Sequence, residues 1–224
     1  MDVPPLSFEQ VSVGDATPAV LSLDVPRHRA VCLLGDAASG VGSLGRYALA
    51  LDRPPTGRVL VLGDNLAELP RRAALAFRRR VGYLPAGDGL LQNLTLHDNV
   101  ALPLRFGSDR SEIDIDGRIQ LLLTMLHLQH VARLRPARVN EEERRRAALA
   151  RALAFDPELV ILEQPFDGLT TRAGAQILEL ARGGESAVGA RRTVFIVGQS
   201  LPDVLKARVE LRYRLVRGRL ESED

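Results

Sequence analysis

The 224 residues predict an α/β fold, with a strand-rich beginning, a parallel-sheet core and a helical segment in the middle. Three observations carry that prediction. Leu159-Val160-Ile161-Leu162 and Thr193-Val194-Phe195-Ile196-Val197 are unbroken apolar runs with a helical segment between them, the pattern of parallel strands covered on both faces. The apolar stretch 30–34 passes through a glycine-containing turn into a helix-like segment at 43–51. Before it, residues alternate apolar and polar, as half-buried strands do.

Taken in order, 6–13 alternates and 20–25 partly does, so both read as strands. Residues 30–34 and 58–62 follow as two more, with Pro54-Pro55-Thr56-Gly57 as a turn between the loop helix and the fourth strand. Residues 66–80 carry a basic helical pattern ending in Arg78-Arg79-Arg80, and Val81-Gly82-Tyr83-Leu84-Pro85 forms a short strand. From about 90 to 135 the chain reads as helical, with Ile115, Ile119, Leu122, Leu123, Leu126 and Val131 mostly at three- and four-residue spacing. Residues 141–155 form another helix. Asn140 is its natural cap, and Glu142 stands four residues before Arg146 as a favourable pair. There is no internal repeat. Residues 1–224 are expected to form one domain with a helical subdomain at about 88–140.

Composition narrows the function. A net charge of +2 gives no electrostatic case for nucleic acid as a partner. Lys206 is the single lysine among 30 basic residues, so lysine for phosphate contact is scarce. Cys32 stands alone in an apolar strand, which excludes a disulfide framework and a cysteine metal site. The start, Met1-Asp2-Val3-Pro4-Pro5, does not resemble a signal peptide. No apolar run approaches the ~20 residues of a membrane span, so the expectation is a cytoplasmic protein without direct membrane insertion.

The turn after the third strand, Gly35-Asp36-Ala37-Ala38-Ser39-Gly40-Val41-Gly42-Ser43, has the frame of a phosphate-binding loop. Gly35 and Gly40 keep the G-x-x-x-x-G spacing in the strand–turn–helix setting such a loop needs. The next two positions should be Lys, which meets the β- and γ-phosphates, and Ser or Thr, whose hydroxyl ligates Mg²⁺. Here they are Val41 and Gly42, with a hydroxyl one place later at Ser43.

The segment from Arg146-Ala147-Ala148-Leu149-Ala150-Arg151 to Leu162-Glu163-Gln164-Pro165-Phe166 resembles the run joining the signature helix to the Walker B strand in ABC-type ATPases. The loop, the Val81-Gly82-Tyr83 strand, this segment and the Thr193 strand come in that family's order and spacing, over about 6–220. Arg145-Arg146-Ala147-Ala148, the Pro165-Phe166-Asp167-Gly168 turn and Leu201-Pro202-Asp203-Val204-Leu205 are similar to the ATPase subunit of Mla/Mce-type phospholipid transporters. Leu94-Thr95-Leu96-His97-Asp98-Asn99 fits that subunit and also the related export and lipoprotein-releasing ATPases. The resemblance implies an ABC-ATPase (P-loop NTPase) fold with an N-terminal antiparallel β subdomain, a parallel-sheet core and a helical subdomain.

It also implies where each functional group should fall. The Q-loop glutamine falls at Ala86, and the signature L-S-G-G at Val139-Asn140-Glu141-Glu142. The Walker B aspartate falls at Glu163, and the general base at Gln164, an amide that cannot take a proton from water. The D-loop aspartate falls at Thr170 and the switch histidine at Gln199, and no aromatic platform for adenine lies between Val11 and Pro18. The expectation is a degenerate ABC nucleotide-binding subunit of a lipid-type transporter with ATP binding and hydrolysis impaired or lost. It would sit on a membrane permease at the inner face of the cell membrane, as a homodimer or as a heterodimer with another ABC ATPase. No catalytic residue, metal or cofactor is expected, and Mg-ATP if any. The alternatives are a working ABC ATPase with Ser43, Glu163 and Gln199 in the usual roles, and a soluble regulatory pseudo-ATPase. Plainer readings stand beside these. Glu141-Glu142-Glu143 suits a helix N-terminus. Arg78-Arg79-Arg80 and Arg144-Arg145-Arg146 read as solvated faces. His127 and His130 read as structural, and Glu163 as a hydrogen-bond partner of the glycine loop.

Overall fold

The computed structural model describes residues 3–14, 19–183 and 191–223. The first strands, β1 (Leu6–Val13) and β2 (Ala19–Val25), pair antiparallel, and β4 (Arg58–Val61) pairs antiparallel with the other edge of β1. A second, six-stranded sheet has the order β5-β6-β7-β3-β8-β9. In it β5 (Val81–Leu84), β6 (Leu159–Glu163), β7 (Thr193–Gly198), β3 (Ala30–Leu34) and β8 (Leu211–Val216) run parallel, and β9 (Arg219–Ser222) returns antiparallel. The helices are α1 (Leu44–Ala48), α2 (Arg71–Arg78), α3 (Leu96–Gly107), α4 (Glu112–Met125), α5 (Glu141–Ala152), α6 (Thr171–Arg182) and α7 (Asp203–Lys206).

The apolar runs behave as parallel strands buried on both faces should. Every residue of β3, β6 and β7 is buried. Their side chains alternate between two cores. Phe8, Val31, Leu33, Val41, Ile161 and Phe195 belong to the core under the antiparallel sheet, where the Phe8 and Phe195 rings lie 5.5 Å apart. Cys32, Leu34, Val160, Leu162 and Ile196 face the other core, which the helices cover with Leu104, Ile119, Leu149 and Ile177. Burial pushes the Cys32 thiol up to about 12, as an inert small hydrophobe requires.

The α/β architecture agrees with the sequence prediction, and the differences are local. The helix expected at 43–51 shrinks to α1 because two 3₁₀ turns, Ala37–Ser39 and Val41–Ser43, take up the chain before it. The helix expected at 66–80 begins only after Pro70, which supplies no N–H but suits a helix start. The long helical stretch at 90–135 divides at Ser111, whose hydroxyl accepts the Asp114 N–H and opens α4. Strands β8 and β9 carry Arg212, Arg214 and Arg219, which hide the apolar pattern. Their places come from pairing, β8 with β3 and β9 with β8.

Candidate functional site

Parallel pairing brings the loops after β3, β6 and β7 side by side, because Leu34 is in register with Gly198 and Glu163 with Val197. Two backbone bonds tie them: the Gly35 N–H donates to Gly198 O (3.0 Å) and the Gln164 N–H to Val197 O (2.7 Å). Gln164 carries a φ of +45°, a left-handed conformation costly for a residue with a side chain. With the loop after β5, these segments enclose a cavity of about 220 Å³ at the carboxyl ends of the strands. Gly35, Val41, Gly42, Ala86, Glu163, Gln164 and Gln199 all line it, so one wall or another receives every station of the glycine loop and strand ends except Ser39, Gly40 and Ser43. Asn140, Glu141 and Glu142 lie apart, at the start of α5.

The glycine loop closes on itself. Asp36 caps the first 3₁₀ turn: the Ser39 N–H donates to Asp36 Oδ1 (2.8 Å) and the Ser39 hydroxyl to Asp36 O (2.6 Å). Gly40 follows at φ +76°, where a Cβ would strike the backbone of Gly14 in the β1–β2 hairpin. The Ser43 N–H donates to Gly40 O (3.0 Å). A carboxylate of the chain therefore already accepts an amide of the loop that resembles an anion cradle. Val41 turns away from solvent and is 3 % exposed. It packs in the core under the antiparallel sheet, with Cγ1 close over Gly35, where an added Cβ would lie 2.9 Å from it. Gly42 is exposed, with open space where a side chain would begin.

Glu163 ends β6 and is 6 % exposed. Its Oε1 has no hydrogen-bond partner and lies against Gly45 of α1, where an added Cβ would overlap it. Glu163 does not hydrogen-bond the glycine loop, contrary to the plainer expectation; its carboxyl lies against α1 at Gly45. Burial raises its pKa, opposed by the Tyr83 phenol, the Ala86 amide and Arg46. Burial and the Glu163 charge likewise push the Tyr83 phenol up.

Arg144-Arg145-Arg146 is not a solvated face. Arg145 is buried and donates to Pro85 O and Gly87 O, both at 3.2 Å. Arg144 pairs with Asp88 (3.1 Å), and Arg151 donates to Gly89 O (2.7 Å). Helix α5 thus grips the loop that carries Ala86. Arg146 pairs with Glu142, as its spacing predicts. Asn140 and Glu143 form a reciprocal capping box, while Glu141 lies against Gly168. Arg78-Arg79-Arg80 is also engaged: Arg78 donates to Leu49 O (2.8 Å), Arg79 lies over the Phe155 ring and Arg80 pairs with Glu158. His130 approaches Glu143 (3.2 Å), and no cluster of three metal-ligating side chains occurs among the described residues. Half of the segment expected to carry an adenine platform, at 15–18, lies outside the described residues.

The cavity lining holds two carboxylic acids, Asp36 and Glu163, and no cationic side chain. Asp36, Gly45, Tyr83 and the α5 arginines are the residues that sequence reasoning missed. Only the basic run 144–146 left a visible signal. A separate apolar groove of about 580 Å³ lies between α2, α3 and the end of α5, with Leu75, Leu91, Leu102, Phe106 and Phe155 in its walls. Phe106 is 86 % exposed there.

The family model described as ABC transporter matches residues 19–167. The lipoprotein-releasing system ATP-binding protein LolD of Chromohalobacter salexigens is 34 % identical over 220 residues, covering 96 % of this chain and 87 % of that protein. The intermembrane phospholipid transport system ATP-binding protein MlaF of Escherichia coli is 29 % identical over 185 residues, covering 83 % and 68 %. The methionine import ATP-binding protein MetN 2 of Pseudomonas aeruginosa is 32 % identical over 148 residues, and the match spans 44 % of its length. The match with MetN 2 thus spans less than half of that protein. Among solved structures, the dimeric ATP-binding cassette MJ0796 bound to ADP and Pi shares the fold at a TM-score of 0.82 and 22 % identity, covering 97 % of this chain and 98 % of that one. Relatives from methionine, phospholipid and lipoprotein systems match together, so no one transporter class is singled out.

Proposed function

Because the chain belongs to the ABC transporter family, as a nucleotide-binding domain, we propose that it is a subunit whose own nucleotide site no longer binds or hydrolyses ATP. The observation that carries this reading is the cavity lining, two acids and no base. The triphosphate of ATP carries about four negative charges, of which bound Mg²⁺ offsets about two, and each meeting of like charges near 5 Å opposes binding by about 3 kcal/mol at an effective dielectric of 20. The donor set does not fit that ligand. The lysine position is a valine packed in the core, Gly42 offers no hydroxyl, and Asp36 already accepts the Ser39 amide. Gln164, at the position of the general base, cannot accept a proton from water.

In this reading the chain acts structurally or as a regulator. The groove with Phe106 in its wall would receive a cytoplasmic segment of a membrane permease, holding the protein at the inner face of the membrane. No described helix is long and apolar enough to cross a membrane, so such attachment would come through that partner. A second ABC subunit is the other proposed partner, either a second copy of this chain or an active ATPase. The Mla/Mce-like details and the names of MlaF and LolD support a lipid-type cargo.

A second reading, a working ATPase with divergent motifs, is favoured by the relatives, which are named ATP-binding proteins. Calorimetric titration of the intact chain with Mg-ATP separates the two. No saturable binding at millimolar nucleotide is expected, and Val41→Lys with Gly42→Ser should not produce hydrolysis while Gln164 remains. Saturable binding by the unaltered chain, or an ATPase rate abolished by Glu163→Ala, would establish the second reading instead.

A further inference from the structure

The apolar groove between α2, α3 and the end of α5 carries a charge pattern that packing within the chain does not use. We propose that the segment seated in it is an amphipathic helix with carboxylates flanking its apolar face, one of them paired with Arg79. The inference rests on the reading of this groove as the docking site of a permease segment, and it names the chemistry of that segment.

Three observations carry it. Leu75, Leu91 and Phe106 are 50 %, 47 % and 86 % exposed around one groove of about 580 Å³. Single exposed apolar residues are ordinary, but several converging on one concave surface mark a contact site. The rim supplies Arg78, Arg79 and Arg151, and no carboxylate lines the groove. These three arginines form no ion pair among the described residues; the carboxylates of Glu158 and Asp88 pair with Arg80 and Arg144 instead.

The three arginines differ in what they hold. Arg78 donates to Leu49 O (2.8 Å) and Arg151 to Gly89 O (2.7 Å), so backbone carbonyls fix both. Arg79 is exposed and lies over the Phe155 ring, 5.8 Å from its centroid. A cation–π contact leaves the N–H fork of the guanidinium free for a bidentate carboxylate.

A helix fits this surface better than a free acyl chain. The groove leaves Phe106 mostly in water, and an acyl chain lying there would keep one side wet. A helix covers such a groove with apolar residues at i, i+3, i+4 and i+7, and its flanks then reach the rim. Carboxylates on those flanks meet three cations, whereas lysines would meet like charge. An anionic membrane surface offers the same charge but leaves the apolar walls unfilled.

The test is calorimetric titration of the intact chain with two synthetic amphipathic peptides of about 18 residues, long enough to form a helix. Both carry leucine at the spacing above; one has glutamate on its flanks and the other lysine at the same positions. The glutamate peptide should bind saturably and about tenfold more tightly than the lysine peptide at low salt, the gap narrowing as salt rises. Arg79→Glu should remove that preference, and Phe106→Ala should weaken both peptides by about tenfold. Both residues are exposed, and circular dichroism checks that the variants fold. Equal binding of the two peptides, tighter binding of the lysine peptide, or a preference unmoved by Arg79→Glu overturns the proposal and leaves the docking groove standing. No binding by either peptide, or binding insensitive to Phe106→Ala, overturns the docking groove as well. So does Arg79-dependent binding to phosphatidylglycerol vesicles in place of the peptides.

Discussion

Replacing Arg145 by alanine should release the loop that forms one wall of the cavity. Arg145 is 6 % exposed, and its guanidinium donates to Pro85 O and Gly87 O at 3.2 Å each. Hydrogen bonds from a charged donor contribute about 1.5–3 kcal/mol apiece, and these are at the long end of normal length. The buried stem of three methylenes adds about 2 kcal/mol, at ~0.8 kcal/mol each. Relief of the guanidinium's own desolvation, and water reaching the freed carbonyls, offset part of that sum. A net loss of about 3 kcal/mol is expected. Urea denaturation followed by circular dichroism measures it, with the slope unchanged if the transition stays two-state. Arg144→Ala is the control: its pair with Asp88 is partly exposed and should be worth less than about 1 kcal/mol. Hydrogen exchange should quicken at 85–90 while β6 and β7 stay protected. An Arg145→Ala protein within about 1 kcal/mol of the parent, with exchange at 85–90 unaltered, would refute the idea that α5 holds this loop.

Glu163 supports two further expectations. A Cβ on Gly45 would overlap Glu163 Oε1, so Gly45→Ala should destabilise by about 1–3 kcal/mol. Glu163→Asp, one methylene shorter, should recover at least ~1 kcal/mol of that loss in a double-mutant cycle, and simple additivity would contradict the packing. The pH dependence follows from burial, which raises the Glu163 pKa above its ordinary value of 4.5. Between the unfolded and folded values the folded chain binds more protons, so stability is lost as pH rises above about 4.5 and through the folded pKa. Glu163→Gln should therefore gain on the parent as pH rises, and be the more stable of the two relative to acid pH at pH 8, as urea titrations at both pH values would show. A parent protein that gains on the variant as pH rises would reverse the assignment.

Much of the fold was legible in the chain because it depends on periodicity. Continuous apolar runs at 159–162 and 193–197 have the pattern of strands shielded on both faces, and they are β6 and β7. Asn140 followed by Glu141-Glu142-Glu143 announced the start of α5. The hairpin of β8 and β9 escaped because Arg212, Arg214 and Arg219 interrupt the apolar pattern while their backbones pair, and pairing leaves no composition signal. The arginine run at 144–146 looked like a solvated surface for a similar reason. Whether a guanidinium meets water or the carbonyls of a loop some sixty residues away depends on where that loop returns.

The sequence by itself determined residue identities: Val41 and Gly42 follow Gly40, an alanine stands at 86 and a glutamine at 164. Those are statements about residue identity, and folding cannot restore an atom the chain lacks. Only the tertiary structure decided what surrounds those residues. Sheet register gathered Asp36, Glu163, Gln164 and Gln199 around one cavity, and packing drew Val41 into the core. A self-capped turn then gave an amide of the glycine loop to Asp36. Charge in a cavity depends on which distant segments line it, and that follows from strand pairing and close packing rather than from any local run of residues.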